Sequence, residues 1–199
     1  MEITDLIEKI NRQPAKDVVQ ELLFDDNIPY CFKDRLDVFM KFRTEVCDFF
    51  KIHPQNFSIV GSAKTGFSLN TDKAKNRLGK KFDDASDIDI VLVSEELFQN
   101  LWIDLLDFQK STIFKLDYDK RKNFSELQHI FFWGLIRFDK LTNDFPFAKR
   151  WWEFFNKQSI NKTYGPRRVR AGLFKSWYHV SLNYERNLGE IKEYYESIR

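Results

Sequence analysis

Phe57-Ser58-Ile59-Val60-Gly61-Ser62 and, after a polar interval, Ser86-Asp87-Ile88-Asp89-Ile90-Val91-Leu92-Val93 are the two stretches on which the fold turns. The first is a short apolar run that stops at a Gly-Ser pair, the pattern of a β-strand entering a turn. The second alternates Asp-Ile-Asp-Ile and then becomes continuously apolar, as in a strand that begins at a polar site and ends in a core. Residues i and i+2 leave a strand on the same side. Asp87 and Asp89 are therefore expected on one face, with Ile88 and Ile90 on the other.

Outward from these strands the pattern turns helical. Leu6, Ile7 and Ile10 share a helical face, and Val18, Val19, Leu22 and Leu23 repeat it after Pro14. Asp25-Asp26-Asn27 and Pro29 break the pattern. A longer helix is expected from Lys33 to Phe50, with Leu36, Phe39, Met40, Val46, Cys47 and Phe50 at helical spacing, ended by His53-Pro54. Ser94-Glu95-Glu96 reads as a capped helix start leading through Leu97, Leu101, Leu105 and Phe108. Between Phe114 and Lys140 the pattern fits either strand or helix, most evidently at Ile130 to Ile136. Pro146 opens another helix through Trp151, Trp152, Phe154 and Phe155, and Arg168 to Ile198 reads mostly as helix. The expected fold class is α+β: one domain over 1–199, with a helical part at 1–52, a core carrying the two motifs at 53–140 and a helical part at 141–199.

Hydrophobic residues make up 43% of the chain and charged residues 31%, a balance that supports a packed core and excludes global disorder. The 21 phenylalanines point to aromatic packing between helices. A net charge of +2 is not that of a general nucleic-acid binder, although local basic clusters still attract phosphate. The two cysteines, Cys31 and Cys47, lie in apolar surroundings outside any CxxC, so they read as buried thiols in a reducing compartment rather than zinc ligands. The N-terminal stretch lacks the basic start and apolar block of a secretion signal, and no apolar run reaches membrane-spanning length; the expected location is cytoplasmic. His53, His129 and His179 have no spacing that suggests a metal site or triad, which leaves Ser62 without partners for nucleophilic catalysis.

Together the two motifs suit phosphate chemistry. Mg²⁺ takes oxygen ligands, commonly one or two carboxylates plus phosphate oxygens, and two carboxylates on one strand face can share a metal pair. Gly61 lets the backbone approach a phosphate, and Ser62 offers a hydroxyl and an amide at an expected helix start. Lys64, two residues on, is placed to meet phosphate charge. The pattern Val60-Gly61-Ser62 followed by Ser86-Asp87-Ile88-Asp89-Ile90-Val91 resembles the DNA polymerase beta-like nucleotidyltransferase superfamily over about thirty residues. The resemblance implies that Gly61 and Ser62 hold a nucleoside triphosphate, that Asp87 and Asp89 bind Mg²⁺ or Mn²⁺, and that a nucleotidyl group passes to an acceptor hydroxyl. Small bacterial members occur in toxin–antitoxin and phage-defence modules, which implies a protein partner encoded in the same operon.

The chain departs from that family in two ways. The lysine-rich stretch Asn70 to Lys81 is an insertion between the motifs; its Lys73, Lys75, Arg77, Lys80 and Lys81 are either a basic rim for triphosphate or polynucleotide, or a solvated loop. The family also carries a third carboxylate on a later strand, for which Asp117, Asp119, Asp139 and Glu185 are the candidates. Arg167, Arg168 and Arg170 form a second basic cluster, read as a helix start that is either solvated or anion-binding. Trp151-Trp152 and Phe154-Phe155 offer base stacking, but adjacent helical residues face different ways, so one of each pair is expected in the core. The rival to an enzyme is a catalytically reduced subunit that binds a protein or nucleic acid. A third possibility is a helical interaction domain with no site. What stands beside Asp87 and Asp89 in place of the third acid decides between them.

Overall fold

The structure is a computed structural model that describes residues 2–25, 27–71, 77–112, 118–141, 144–164 and 166–197. Lys73, Lys75 and Asp117 fall outside them. Within the described residues the chain is mixed α+β. Its sheet comprises β1 (Phe57–Val60), β2 (Ile88–Val93), β3 (Leu135–Ile136) and β4 (Val169–Phe174), ordered β1-β2-β4-β3. β2 runs antiparallel to β1, with Val60 opposite Asp89, and parallel to β4, with Asp89 opposite Arg170. β3 pairs antiparallel with Leu173 and Phe174 alone. The helices are α1 (Ile3–Arg12), α2 (Ala15–Phe24), α3 (Leu36–Phe50), α4 (Ser62–Thr65), α5 (Glu95–Thr112), α6 (Tyr118–Phe131), α7 (Pro146–Ser159) and α8 (Trp177–Ser197).

The period-two alternation of β2 sends its side chains into two cores. Ile88, Ile90 and Leu92 join Ile59, Val169 and Leu173 in a core covered by α3, α5, α6 and α7. Val91 and Val93 join Val60 and Phe174 in a second core under α1, α2 and α8. Asp89 belongs to the second face by alternation and is the one β2 residue that is not fully buried. Aromatic rings fill the first core. Trp151 stacks on Phe138 at a centroid distance of 3.9 Å, and Phe50 stacks on Phe155 at 5.6 Å. The adjacent aromatics of α7 divide as their angular spacing requires: Trp151 and Phe155 are buried, Trp152 and Phe154 half-buried. On α3 the buried stripe is Phe42, Val46, Cys47 and Phe50, while Leu36 and Met40 face outward. Among the described residues no helix is long and apolar enough to cross a membrane.

One element overturns the sequence expectation. Val169 to Phe174 is not the start of a long helix but a strand at the centre of the sheet, so the 141–199 part is not purely helical. Val169 and Leu173 stand four apart, which mimics a helical face, and Arg170 and Gly172 break the apolar alternation a strand is recognised by. The six-residue pairing with β2 outweighs that weak local pattern. The described end of the lysine-rich insertion is tied to the segment before it: Ser68 N–H donates to Lys80 C=O and Gly79 N–H to Ser68 C=O, each at 2.8 Å.

Candidate functional site

β1 ends at Val60, and Gly61 turns the chain with φ +62° and ψ −148°, a combination only glycine adopts without strain. A Cβ at this position would stand 3.5 Å from Asp89 Oδ2. The Gly-Ser turn and the Asp-x-Asp strand are thus brought against each other. Gly61 C=O accepts hydrogen bonds from the N–H groups of Lys64 and Thr65 at 3.0 and 3.1 Å, closing α4. Because α4 is a single turn, it offers backbone amides but little macrodipole. The Gly61 N–H is itself engaged by the hydroxyl of Tyr184 from α8, whose ionisation is pushed up by burial and by the neighbouring Asp89.

Gly61, Ser62, Asp87 and Asp89 line one cleft of about 480 Å³, and Arg77, Lys80 and Lys81 stand on its basic side. Lys80 is paired at 2.9 Å with Asp83. From α8, Asn187 and Glu190 reach the same cleft. Burial pushes the Asp89 carboxyl above its usual range, repulsion from Asp87 adds to this, and Arg170 and Arg137 partly offset it. Asp87 is compensated directly: Arg170 Nη2 lies 3.0 Å from its Oδ2. Beside the two acids, on the strand that flanks β2, the chain therefore carries a guanidinium rather than a third carboxylate.

Of the candidates for that third acid, Asp117 lies outside the described residues, and Asp119, Asp139 and Glu185 do not line this cleft. Asp139 is bound by Arg137, whose Nε donates to Oδ1 at 3.0 Å, and it lines a second cavity that also reaches Asp89. Asp119 is exposed on the first turn of α6, and Glu185 on α8 lines neither cavity. Among the described residues no group of three His, Cys, Asp or Glu side chains is close enough to hold a metal ion. The Glu190 carboxylate, which the sequence reading passed over, lies with Asp87 and Asp89 around the cleft. It had no signal as a site residue, being one acid among several on an amphipathic helix.

Lys64 does not meet the cleft. Its ammonium turns toward α2, pairs with Asp25 at 2.7 Å and donates to Leu23 C=O at 3.1 Å. The position two residues past Ser62 lies on the far side of the α4 turn, so proximity in sequence does not become proximity to the acids. The second arginine cluster is likewise reassigned. Arg167 pins the loop before β2, pairing with Asp84 at 2.7 Å and covering the Phe82 ring at 4.8 Å. Arg168 and Arg170 line the second cavity, at the entry of β4.

The oxygen donors that line the cleft include the Asp87, Asp89 and Glu190 carboxylates and the hydroxyls of Ser62, Ser68, Thr71 and Ser86. That set fits one hard divalent cation completed by phosphate oxygens, such as Mg²⁺ or Mn²⁺. At the position beside Asp89 on β4 stands Arg170, so no carboxylate joins the pair from that strand. In comparisons with family models, curated proteins and solved structures, the chain matches none.

Proposed function

We propose that the chain is a nucleotidyltransferase-type protein that acts by binding: it holds a nucleoside triphosphate with one divalent cation in the Gly61–Asp89 cleft and has lost nucleotidyl transfer. The observation that carries this reading is Arg170, in register with Asp89 and ion-paired with Asp87 on the strand where a third acid is needed. In this reading Asp87 and Asp89 hold the cation, which neutralises phosphate charge when bound. The Ser62 hydroxyl and the amides after Gly61 meet the phosphates, and Arg77, Lys80 and Lys81 draw the anion in. Arg170, half-exposed and paired with Asp87, would add a positive charge on the phosphate side of the acids. The exposed apolar side chains Trp102, Ile103 and Leu106 on α5 and Phe132 after α6 support a protein partner, the arrangement of a toxin–antitoxin or phage-defence module.

The second reading retains transfer of the nucleotidyl group to an acceptor hydroxyl, with Asp139 as the third acid. It is favoured by Asp139 sharing a cavity with Asp89 and requires the Arg137–Asp139 pair to open.

Labelled ATP, GTP, CTP and UTP with Mg²⁺ or Mn²⁺ separate the two. Binding predicts saturable, cation-dependent retention without pyrophosphate release, abolished in the Asp87→Ala/Asp89→Ala double variant. Pyrophosphate release matched by label on an acceptor establishes transfer. Retention that is unchanged in the double variant removes the site from Asp87 and Asp89.

A further inference from the structure

β3 is two residues long, and among the described residues this leaves the first half of β4 without a strand on one side. The Ile88 N–H donates to Arg168 C=O at 2.8 Å, so alternate residues of β4 from Arg168 onward direct their backbone groups at β2. Val169 and Ala171 therefore direct theirs at the opposite edge. There the Val169 N–H is taken by Ser159 Oγ at 2.9 Å. The Val169 C=O and the Ala171 N–H form an acceptor–donor pair along the edge, with no strand opposite them among the described residues.

A cavity of about 340 Å³ lies against that edge, between α7 and α8. Trp152 and Phe155 line it from α7, and Asn183 and Tyr184 from α8. Its size is that of a small-molecule pocket. Asp89 and Arg170 line both this cavity and the Gly-Ser cleft, so the two adjoin at the acids.

We propose that this cavity is the base subsite of the nucleotide and that it selects adenine; the inference rests on the cleft holding the phosphates. Adenine presents an amino donor beside a ring-nitrogen acceptor, the complement of the Val169 C=O and Ala171 N–H. The Trp152 indole offers the ring a stacking surface. Guanine and uracil place a carbonyl oxygen where adenine has its amino group, and this opposes the Val169 C=O. Cytosine repeats the adenine pattern with a smaller face.

Isothermal titration of the full chain in Mg²⁺ tests this with tripolyphosphate, ATP, CTP, GTP and UTP as probes. ATP is expected to bind about tenfold more tightly than tripolyphosphate, the scale of one stacked base, with GTP and UTP weaker than ATP. Trp152→Ala is expected to bring ATP to the tripolyphosphate level while leaving tripolyphosphate itself unchanged, and Trp152→Phe to retain the preference. Unchanged tripolyphosphate binding also shows that the Ala variant is folded; if it is lost, the Phe variant and the wild-type base ranking decide. Equal binding of ATP and tripolyphosphate to the wild type, or no discrimination among the four bases, overturns the base subsite and leaves the cleft reading intact. Absence of binding by tripolyphosphate and all four nucleotides overturns the cleft reading, and the base subsite with it.

Discussion

Arg170 Nη2 stands 3.0 Å from Asp87 Oδ2 while the Arg170 backbone lies directly across from Asp89, so one guanidinium serves two carboxylates that repel each other. An acid at this position would put a further carboxylate directly beside Asp87 and Asp89. Arg170→Glu is expected to tighten Mn²⁺ binding by about tenfold, corresponding to about 1.4 kcal/mol, and to lower stability in the metal-free state through added like charge. Mn²⁺ titration followed by water-proton relaxation reads the first effect and thermal melting with chelator the second. Unchanged Mn²⁺ affinity places position 170 outside the reach of the cation.

Asp89 resists ionisation because burial and Asp87 both disfavour its charge. A carboxyl raised in the folded state holds its proton longer than in the unfolded chain. Folding stability therefore falls as pH rises from the ordinary carboxylate range through the raised value of Asp89. Asp89→Asn removes that charge. At neutral pH in chelator it is expected to melt at a higher temperature than the wild type, and to lose cation-dependent nucleotide retention. A lower melting temperature at neutral pH contradicts the assignment of Asp89 as a strained, charged group.

Gly61 holds a conformation closed to other residues, beside Asp89. Gly61→Ala is expected to cost about 1–3 kcal/mol in urea unfolding, the scale of one residue forced into a sparsely populated region. Nucleotide retention should drop with it, because the amides after position 61 move relative to the acids.

Lys64 separates motif proximity from site membership. Its side chain is only 11% exposed, and its ammonium is committed to Asp25 and Leu23. Lys64→Met is expected to cost about 1–3 kcal/mol of stability by leaving those partners unsatisfied. Nucleotide affinity in the cleft should be unchanged. Equilibrium unfolding and titration on the same preparation check both halves.

Much of this architecture was legible in the sequence because local pattern and tertiary position agreed. In β2 the alternation of Asp87-Ile88-Asp89-Ile90 and the apolar run after it both report a strand that leaves a site and enters a core. Ser94 caps α5 through the Leu97 N–H at 3.1 Å, as its place before two glutamates indicated. β4 was illegible because its interior faces a cleft. Arg170 and Gly172 serve the acids and the adjoining cavity, and those same residues erase the apolar signal of a central strand. Lys64 and Glu190 failed for a different reason: whether a charged side chain on a helix reaches a site depends on the direction of that helix, which composition does not encode.

The two thiols, Cys31 and Cys47, give a test of packing away from the site. Burial pushes Cys31 up to about 12 and Cys47 up to about 11. The native protein is expected to react slowly with a disulfide reagent at pH 8, and both thiols to react at once in guanidinium. Stability should decline as pH climbs from the ordinary thiol value toward 11–12, since only the unfolded chain ionises freely in that interval. Of the two, Cys47 is buried as expected and Cys31 only half-buried, so rapid native reaction of Cys47 contradicts its burial.

The strand order β1-β2-β4-β3 also sets a timetable. β1 and β2 can pair as soon as they leave the ribosome, but the other edge of β2 waits for β4, which is synthesised after α5, α6 and α7. Until then the apolar half of β2 is an uncovered edge, the kind of surface that recruits foreign strands. The acids at the entry of that strand, Asp87 and Asp89, are then a deterrent to premature pairing as well as the lining of a cleft. Arg170 arrives with the partner strand and neutralises Asp87 in the same step that closes the sheet. Because that closure joins segments far apart in the chain, it is the expected slow step in folding.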